Sequence, residues 1–501
     1  MPKAKNTNLR LKNYVTSFEN EGLSTDGSVL FCKFCSKKIG DKDVKKSQIE
    51  QHVKAAKHKA NVQLGSKRQQ LFHSGPTTSS ESSSDGDKFS MDICEAFTAA
   101  DIPLYKLSNQ PFRAFLEQYC GRRIPDESTL RKNYLQRCYQ NVIEEIRSDL
   151  EDQYIWISID ESTDATGRYI AHCIVGSLST SASRSYLLHS DEIPKVNHSV
   201  IAKFIMDSLT VLWPNGIKYN MVLLIVTDAA AYMLKGVGGL GVLFPKMRHL
   251  TCLAHGLHRL AEFIRTSYPE VDNLISEVKK VFIKSPYRCS AFKQFAPDIC
   301  IPPQPVITRW GTWISAAIYY AKHFDLIKEV LSTFDSKAAV SIRKALDLLN
   351  RENIKMDLAC IQSNFSSLPN RIESLESQGR LLSDSIAVIN DLQNSLNKVS
   401  TTGNSILQGC TEKLRKILSK NPGFKDISQI SSVLNGTDQV DPKDIQGQLS
   451  PAEIANFKYA PVTSCDVERS FSRLKNLLSD RRQRTSSEHL KWLLILQANK
   501  N

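Results

Sequence analysis

The chain is 501 residues long, 41% hydrophobic and 23% charged, with a formal net charge of +13. This length exceeds one ordinary hydrophobic core, so we expect two to four domains. No apolar run approaches the ~20 residues that cross a bilayer, and the first residues lack the apolar core of a secretory signal. We therefore expect no membrane partner.

Positive charge and closely spaced cysteines both occur near the N-terminus. Residues 1–73 contain 15 Lys or Arg and 6 Asp or Glu, a net charge of +9, which favours a polyanionic partner such as nucleic acid. The twelve cysteines are scattered except for the pair Cys32 and Cys35. This usage is typical of a reducing compartment, where such a pair more often binds metal than forms a disulfide.

The cysteine pair begins the pattern C-x2-C-x16-H-x5-H, which is formed by Cys32, Cys35, His52 and His58. Two thiolates and two imidazoles suit tetrahedral Zn²⁺, so the pattern predicts a zinc-stabilised module. Residues 47–59 should form a helix with a distorted last turn, because the six-residue step between the histidines is wider than i,i+4. Lysines along the same segment are expected to contact DNA phosphates. They are Lys45, Lys46, Lys54, Lys57 and Lys59.

This module resembles the BED-type zinc finger of transposases and their domesticated descendants. The resemblance extends through residues 100–107, 111–117 and 124–135, and the first 135 residues are similar to the family of CGG triplet repeat-binding protein 1. That family consists of short nuclear DNA-binding proteins, so the resemblance implies double-stranded DNA as the partner and the nucleus as the location. The Ser/Gly/Asp-rich composition of residues 74–90 predicts a flexible linker after the finger.

Two later stretches have the pattern of strands that end in an acid. Residues 154–160 alternate isoleucine with other residues up to Asp160, and residues 221–227 form an apolar run that ends at Asp228. With the elements predicted between them, the order β-β-β-α-β-α is that of an RNase H-like fold, in which these two strands are adjacent. Two such close carboxylates repel unless a cation lies between them, and Mg²⁺ or Mn²⁺ suits hard oxygen ligands.

A third acid comes from the C-terminal region. Val467, Phe471, Leu474 and Leu478 recur at helical spacing, which predicts an amphipathic helix with Glu468 at the edge of its buried face. The C-terminal block around this helix is rich in leucine.

The acidic stretches and this block resemble the hAT superfamily of DDE transposases. The motifs are SIDEST, TDAAAYM, CLAH, TRW and CDVERSFSRLKNLLSDRR, which follow the family's order across residues 150–501. The resemblance implies that Asp160, Asp228 and Glu468 are catalytic metal ligands, and that Arg309 and Trp310 contact DNA. It also implies dimerisation through the C-terminal block, to which the apolar face of residues 467–496 would contribute. That face includes Leu490, Leu493, Leu494 and Leu496.

The C-x2-H motif, Cys252 and His255, is expected to have a structural role, although His258 one turn later leaves open half of a metal site. Trp313 competes with Trp310 for base stacking.

Departures from the family leave other choices open. Ser162 stands where an aromatic residue is usual, and the usual Asn of the second motif is Ala or Tyr. Glu161 and Asp164 are less favoured alternatives to Asp160 as the first metal ligand.

The sequence thus predicts an α+β multidomain protein. Its expected parts are a zinc finger (1–73), a linker (74–90), a helical segment (91–150), an RNase H-like mixed β-sheet core (151–255 and 451–501) and a large all-helical insertion (256–450). The expected function is DNA cleavage and strand transfer by a homodimer or higher oligomer, with no small-molecule substrate. A catalytically silent DNA-binding transcriptional regulator is the alternative, and a nuclease for RNA–DNA hybrids is a third hypothesis.

Overall fold

In the computed structural model, the chain forms two compact units, residues 1–86 and residues 87–501. The structure describes residues 7–18, 21–25, 29–32, 35, 37–41, 43–59, 80–283, 285–306, 311–400, 403–436, 449–478 and 486–500.

The N-terminal unit combines two helices with a three-stranded antiparallel sheet of order β1-β2-β3. Its elements are α1 (Thr7–Ser17), β1 (Leu23–Thr25), β2 (Val29–Cys32), β3 (Lys37–Asp41) and α2 (Lys46–Lys54). The apolar core is small, with Leu11, Leu30 and Ile49 fully buried at its centre. A core of this size contributes little free energy of folding, so the unit depends on an additional stabilising element.

The helix predicted over residues 47–59 is interrupted. Helix α2 ends at Lys54, Ala55 has an extended backbone (φ −63°, ψ 137°), and residues 56–59 are helical again. This break is the distortion that the six-residue histidine step predicts. It turns the chain so that the ring centroids of His52 and His58 lie 4.8 Å apart.

Most of helix α3 (Ser80–Ala99) belongs to the larger unit, which continues with α4 (Gln110–Cys120) and α5 (Leu135–Asp149). Helix α3 begins inside the span predicted as a linker, residues 74–90. Part of the reason is a long-range contact, since the carboxylate of Asp87 accepts two hydrogen bonds from Arg137 of α5 at 3.0 and 2.7 Å. Composition alone does not reveal such a partner.

A five-stranded mixed sheet forms the centre of the larger unit, in the order β6-β5-β4-β7-β8. The strands are β4 (Tyr154–Thr163), β5 (Tyr169–Leu178), β6 (Ser185–Ile193), β7 (Val222–Thr227) and β8 (Arg248–Thr251). Strands β4 to β6 form an antiparallel meander, whereas β7 pairs in parallel with β4 and β8. The predicted adjacency of the strands that lead to Asp160 and Asp228 is therefore confirmed.

Helices cover the sheet and form a large region after it. The helices that follow strands β6, β7 and β8 are α6 (His198–Leu212), α7 (Ala231–Leu240) and α8 (Leu253–Ser267). The next ten are α9 (Pro269–Phe282), α10 (Pro286–Phe295), α11 (Gly311–Lys322), α12 (Phe324–Ser332), α13 (Val340–Leu349), α14 (Glu352–Phe365), α15 (Leu368–Leu375), α16 (Leu382–Ser400), α17 (Ser405–Ser419) and α18 (Phe424–Leu434). None of the helices in the described ranges is both long and apolar enough to cross a membrane.

The chain then returns to the sheet through α19 (Pro451–Ala455), α20 (Cys465–Leu477) and α21 (Ser487–Asn499). Helix α20 packs on β4 and β5, and α21 packs on β6 and α5. Leu490, Leu494 and Leu496 are only 5%, 0% and 0% exposed. The expectation that these leucines form a dimer surface is wrong, because they fill the core of their own chain.

A buried histidine is expected to make the larger unit sensitive to acid. His189 is 4% exposed, its Nδ1 lies 2.9 Å from the hydroxyl of Ser208, and its ring stacks on Phe204. Burial, followed by nearby positive charge, lowers its pKa to about 3. The unfolded chain binds this proton near pH 6.5 and the folded protein does not. The free energy of unfolding should therefore fall by about 1.4 kcal/mol per pH unit for this group as pH drops below 6.5.

Urea unfolding of a His189→Asn variant at pH 7, 6 and 5 tests this expectation. The free energy of unfolding of the variant should fall less steeply as the pH decreases than that of the unsubstituted protein. The difference between the two slopes should be about 1.4 kcal/mol per pH unit, which corresponds to one proton. Equal slopes in the two proteins would contradict it.

Candidate functional site

The N-terminal unit brings its four predicted metal ligands together. Cys32 ends β2, Cys35 lies in the following turn, His52 is in α2, and His58 follows the break at Ala55. Their ligand atoms all lie within 4.8 Å of one another, and His58 Nδ1 lies 3.5 and 3.4 Å from the sulfurs of Cys32 and Cys35. Tetrahedral zinc spaces such atoms roughly 3.4–3.8 Å apart. The donor types suit Zn²⁺, and the two distances from His58 Nδ1 to the sulfurs fall in this range.

A carboxylate outside the motif orients one of these histidines. His58 Nε2 lies 2.8 Å from Glu21 Oε2, so Nδ1 points toward the two sulfurs. Burial, followed by the charges of His58 and Lys37, lowers the pKa of His52 and favours the neutral imidazole that binds metal. The sequence analysis missed Glu21, because it lies 37 positions before His58 and nothing in the motif marks it.

The side chains of Lys45, Lys46, Lys54, Lys57 and Lys59 are all exposed on the segment that carries the histidines. Their charges are free to contact solvent or a polyanion. The basic surface thus lies beside a group of four residues that could bind one zinc ion.

In the larger unit, three acids approach one edge of the sheet. Asp160 lies near the end of β4, Asp228 directly follows β7, and Glu468 lies in the first turn of α20. The parallel pairing of β4 with β7 places the first two at the same edge. Burial, followed by the charges of Asp228 and Glu161, raises the pKa of Asp160 to about 8. Burial also raises the pKa of Asp228.

His255 connects the third acid to the other two. Its Nε2 lies 3.4 Å from Glu468 Oε1. Burial lowers its pKa, but the hydrogen bond and charge of Cys252, then the charges of Glu468 and Asp160, outweigh this and raise it to about 10. The protonated form of His255 is therefore favoured beside Glu468 and Asp160. Among the described residues, only Cys32, Cys35, His52 and His58 form a group of three or more His, Cys, Asp or Glu side chains that lie close enough to bind one metal ion.

The C-x2-H turn holds the start of α20 in place. The sulfur of Cys252 accepts hydrogen bonds from the backbone N–H of His255 at 3.5 Å and of Ser464 at 3.3 Å, and the N–H of Leu253 donates to the carbonyl of Val462 at 2.9 Å. These contacts position the segment that precedes Glu468. His258 Nε2 instead lies 3.5 Å from Glu376.

The two alternative acids on β4 and its turn have different surroundings. The carboxylate of Asp164 accepts hydrogen bonds from the backbone N–H groups of Thr166 (2.8 Å) and Arg168 (2.9 Å) and from Arg168 Nε (2.8 Å). It therefore stabilises the turn in which it lies. These hydrogen bonds outweigh the opposing effect of burial and lower its pKa. Glu161 accepts from the hydroxyl of Tyr232, and its Oε2 is buried without a partner in the described structure.

Arg309 and Trp310 lie outside the described residues. Trp313 is 2% exposed and its Nε1 donates to Asp272 at 2.9 Å, which makes it a core residue. Its expected competition for base stacking is therefore wrong, because no face of the indole is available.

Two sequence families match parts of the chain. Residues 80–137 match the CGGBP1 helical domain, and residues 125–281 match a domain of unknown function, DUF659. No curated protein matches the chain. The first match supports the predicted similarity of the N-terminal part to CGG triplet repeat-binding proteins.

Proposed function

We propose that this chain is a hAT-type transposase, or a nuclear protein derived from one, that binds double-stranded DNA through a BED-type zinc finger. The observation that carries the proposal is the convergence of Cys32, Cys35, His52 and His58 within 4.8 Å, beside five exposed lysines. The match to the CGGBP1 helical domain at residues 80–137 supports it, since the combination of finger and helices is the one expected from the sequence.

The sheet supports an RNase H-like core for the larger unit. Three antiparallel strands are followed by a helix and a parallel strand that pairs with the first, giving the order β6-β5-β4-β7-β8. In this proposal residues 151–255 and 451–501 form the core, and residues 256–450 are the helical insertion. The return of α20 to β4 and β5 supports that division, since the third acid then reaches the same sheet.

At the acidic site, Asp160, Asp228 and Glu468 would hold Mg²⁺ or Mn²⁺. Their hard carboxylate oxygens suit these ions. When bound, the ions would activate the attacking oxygen and stabilise the leaving oxygen in phosphoryl transfer. Glu468 would supply the third carboxylate from the first turn of α20, whose start is positioned by the Cys252 turn.

A catalytically silent DNA-binding regulator is the second candidate. The ion pair between His255 and Glu468 favours it, because it supplies positive charge to the acidic site from within the chain. Both candidates share the DNA-binding finger and differ in whether DNA is cut. Both candidate functions include a homodimer formed through the C-terminal block. The dimer interface would use the outer faces of α20 and α21, because Leu490, Leu494 and Leu496 of α21 are buried.

The exposed lysines of the finger are expected to bind DNA phosphates without reading sequence. Replacing Lys54 and Lys57 by glutamine should weaken binding about equally on duplexes of different sequence. It should also reduce the slope of log K against log salt concentration by about 0.9 for each phosphate that is no longer neutralised. Fluorescence anisotropy of the full-length protein at several salt concentrations measures both effects.

Lys344 is an exposed lysine on α13 of the larger unit, so Lys344→Gln is the matched control. This variant should leave the slope unchanged. If the Lys54/Lys57 double variant keeps the slope of the unsubstituted protein, the finger surface does not contact phosphates.

A further inference from the structure

A polar cleft of about 310 Å³ opens in the larger unit, separate from the acidic site. It lies between the start of β6, the turn after α15, the segment before α20, and α20 itself. Four arginines line it: Arg184, Arg380, Arg469 and Arg473. They come from three parts of the chain that are distant in sequence, so the tertiary fold assembles this concentration of guanidinium groups.

Main-chain carbonyls anchor the guanidinium groups. Arg473 Nη1 donates to the carbonyl of Gln497 at 2.9 Å, and Arg184 Nη2 donates to that of Asn499. Arg380 Nη2 donates to the carbonyl of Asp384 at 3.3 Å. A carbonyl fixes the position of a guanidinium without cancelling its charge. The groups are therefore held in place while remaining available to an anion.

The carboxylates of the cleft leave an excess of positive charge. Asp466 pairs with Arg469 and also accepts from Gln378 at 2.6 Å. Glu376 lies against His258. Arg184, Arg380 and Arg473 have no carboxylate within 4 Å in the described part of the chain, whereas Arg469 pairs with Asp466. A bound anion would balance the positive charge of these three arginines.

We infer that this cleft binds a phosphate group of the DNA backbone next to the strand that reaches the acidic site. The inference rests on the proposed function. Phosphate matches the cleft because its oxygens accept bidentate hydrogen bonds from guanidinium groups. DNA is favoured over a free phosphate because α20 carries both Glu468 and Arg473, which lie roughly 8 Å apart along the helix axis at 1.5 Å per residue. One DNA strand is long enough to reach both.

The test is the salt dependence of DNA binding by the full-length, zinc-loaded protein. Arg184→Gln combined with Arg473→Gln should lower the slope of log K against log salt concentration by about 0.9 for each phosphate that the arginines neutralise. Arg473→Lys, which keeps the charge, should retain most of the slope. Arg343→Gln, on the exposed surface of α13, is the matched control and should behave as the unsubstituted protein. Equal melting temperatures show that the variants are folded.

A folded double variant with an unchanged slope would overturn the inference while leaving DNA binding by the finger intact. Thermal shift with inorganic phosphate separates the two sources of the anion. Stabilisation by phosphate that needs the arginines, with an unchanged DNA slope, would overturn the assignment to DNA. If the unsubstituted protein binds no DNA, the proposed function itself fails, and this outcome is distinct from the other two.

Discussion

Replacement of Cys35 by serine is expected to release the zinc ion and unfold the N-terminal unit. The core of that unit is small, and a structural zinc site typically contributes about 10–16 kcal/mol of apparent binding free energy to folding. Loss of one thiolate should remove most of this contribution. Zinc content per chain and hydrogen exchange across residues 7–59 measure the two consequences.

Cys120→Ser is the matched control, because Cys120 is an exposed cysteine of the larger unit. It should retain one zinc ion per chain and unchanged protection of the finger. A Cys35→Ser protein with full zinc content and native protection would show that the four residues do not form a zinc site.

Replacement of Asp160 or Asp228 by asparagine is expected to abolish DNA strand cleavage if the protein is active. Each change removes a carboxylate charge from the proposed metal site. Metal-ion catalysis lowers the activation free energy by several kcal/mol, so its loss should slow cleavage about 10³-fold. Cleavage of terminal-inverted-repeat DNA with Mn²⁺, followed on denaturing gels, measures the effect.

Asp164→Asn is the matched control on the same strand-to-turn segment. Its carboxylate serves the turn through Thr166 and Arg168, so this change should lower stability and leave cleavage largely intact. Cleavage at the unsubstituted rate by Asp160→Asn would reject the proposed site. An unsubstituted protein that binds DNA but never cuts it would favour the silent regulator, and degradation of RNA–DNA hybrids alone would favour the third hypothesis.

The parts of the structure that the sequence predicted well are those with strong local signals. The spacing of Cys32, Cys35, His52 and His58 is typical of residues that bind one ion, and the structure brings the four together as predicted. The apolar run of β7 is buried along its whole length, and its pairing with β4 follows from the predicted order of elements.

The parts that were missed depend on contacts between distant residues. Strand β8 has only four residues, too few to show a strand period, and it exists because it pairs with β7. Glu21 is identified as a partner of His58 only by the folded finger. The leucines of α21 have the pattern of an interface, but periodicity cannot distinguish an interface from the chain's own core.

The sequence predicted that the three acids lie near one edge of the sheet, but it did not predict their interactions. Asp160, Asp228 and Glu468 do approach one edge of the sheet, yet the pairing of His255 with Glu468 could not be inferred from a C-x2-H motif. Likewise, Tyr232 lies in the stretch TDAAAYM, where the motif that this stretch resembles usually has Asn. Its hydrogen bond to Glu161 depends on the contact between α7 and β4, which the sequence does not show.

The dissociation constant of the full-length protein for duplex DNA, measured before and after removal of zinc, tests the central claim most directly. The finger is proposed to supply most of the binding free energy for DNA and to need zinc for folding. A zinc chelator should therefore weaken binding by about 100-fold or more at constant salt, and added zinc should restore it. An unchanged dissociation constant after complete removal of zinc would contradict the account.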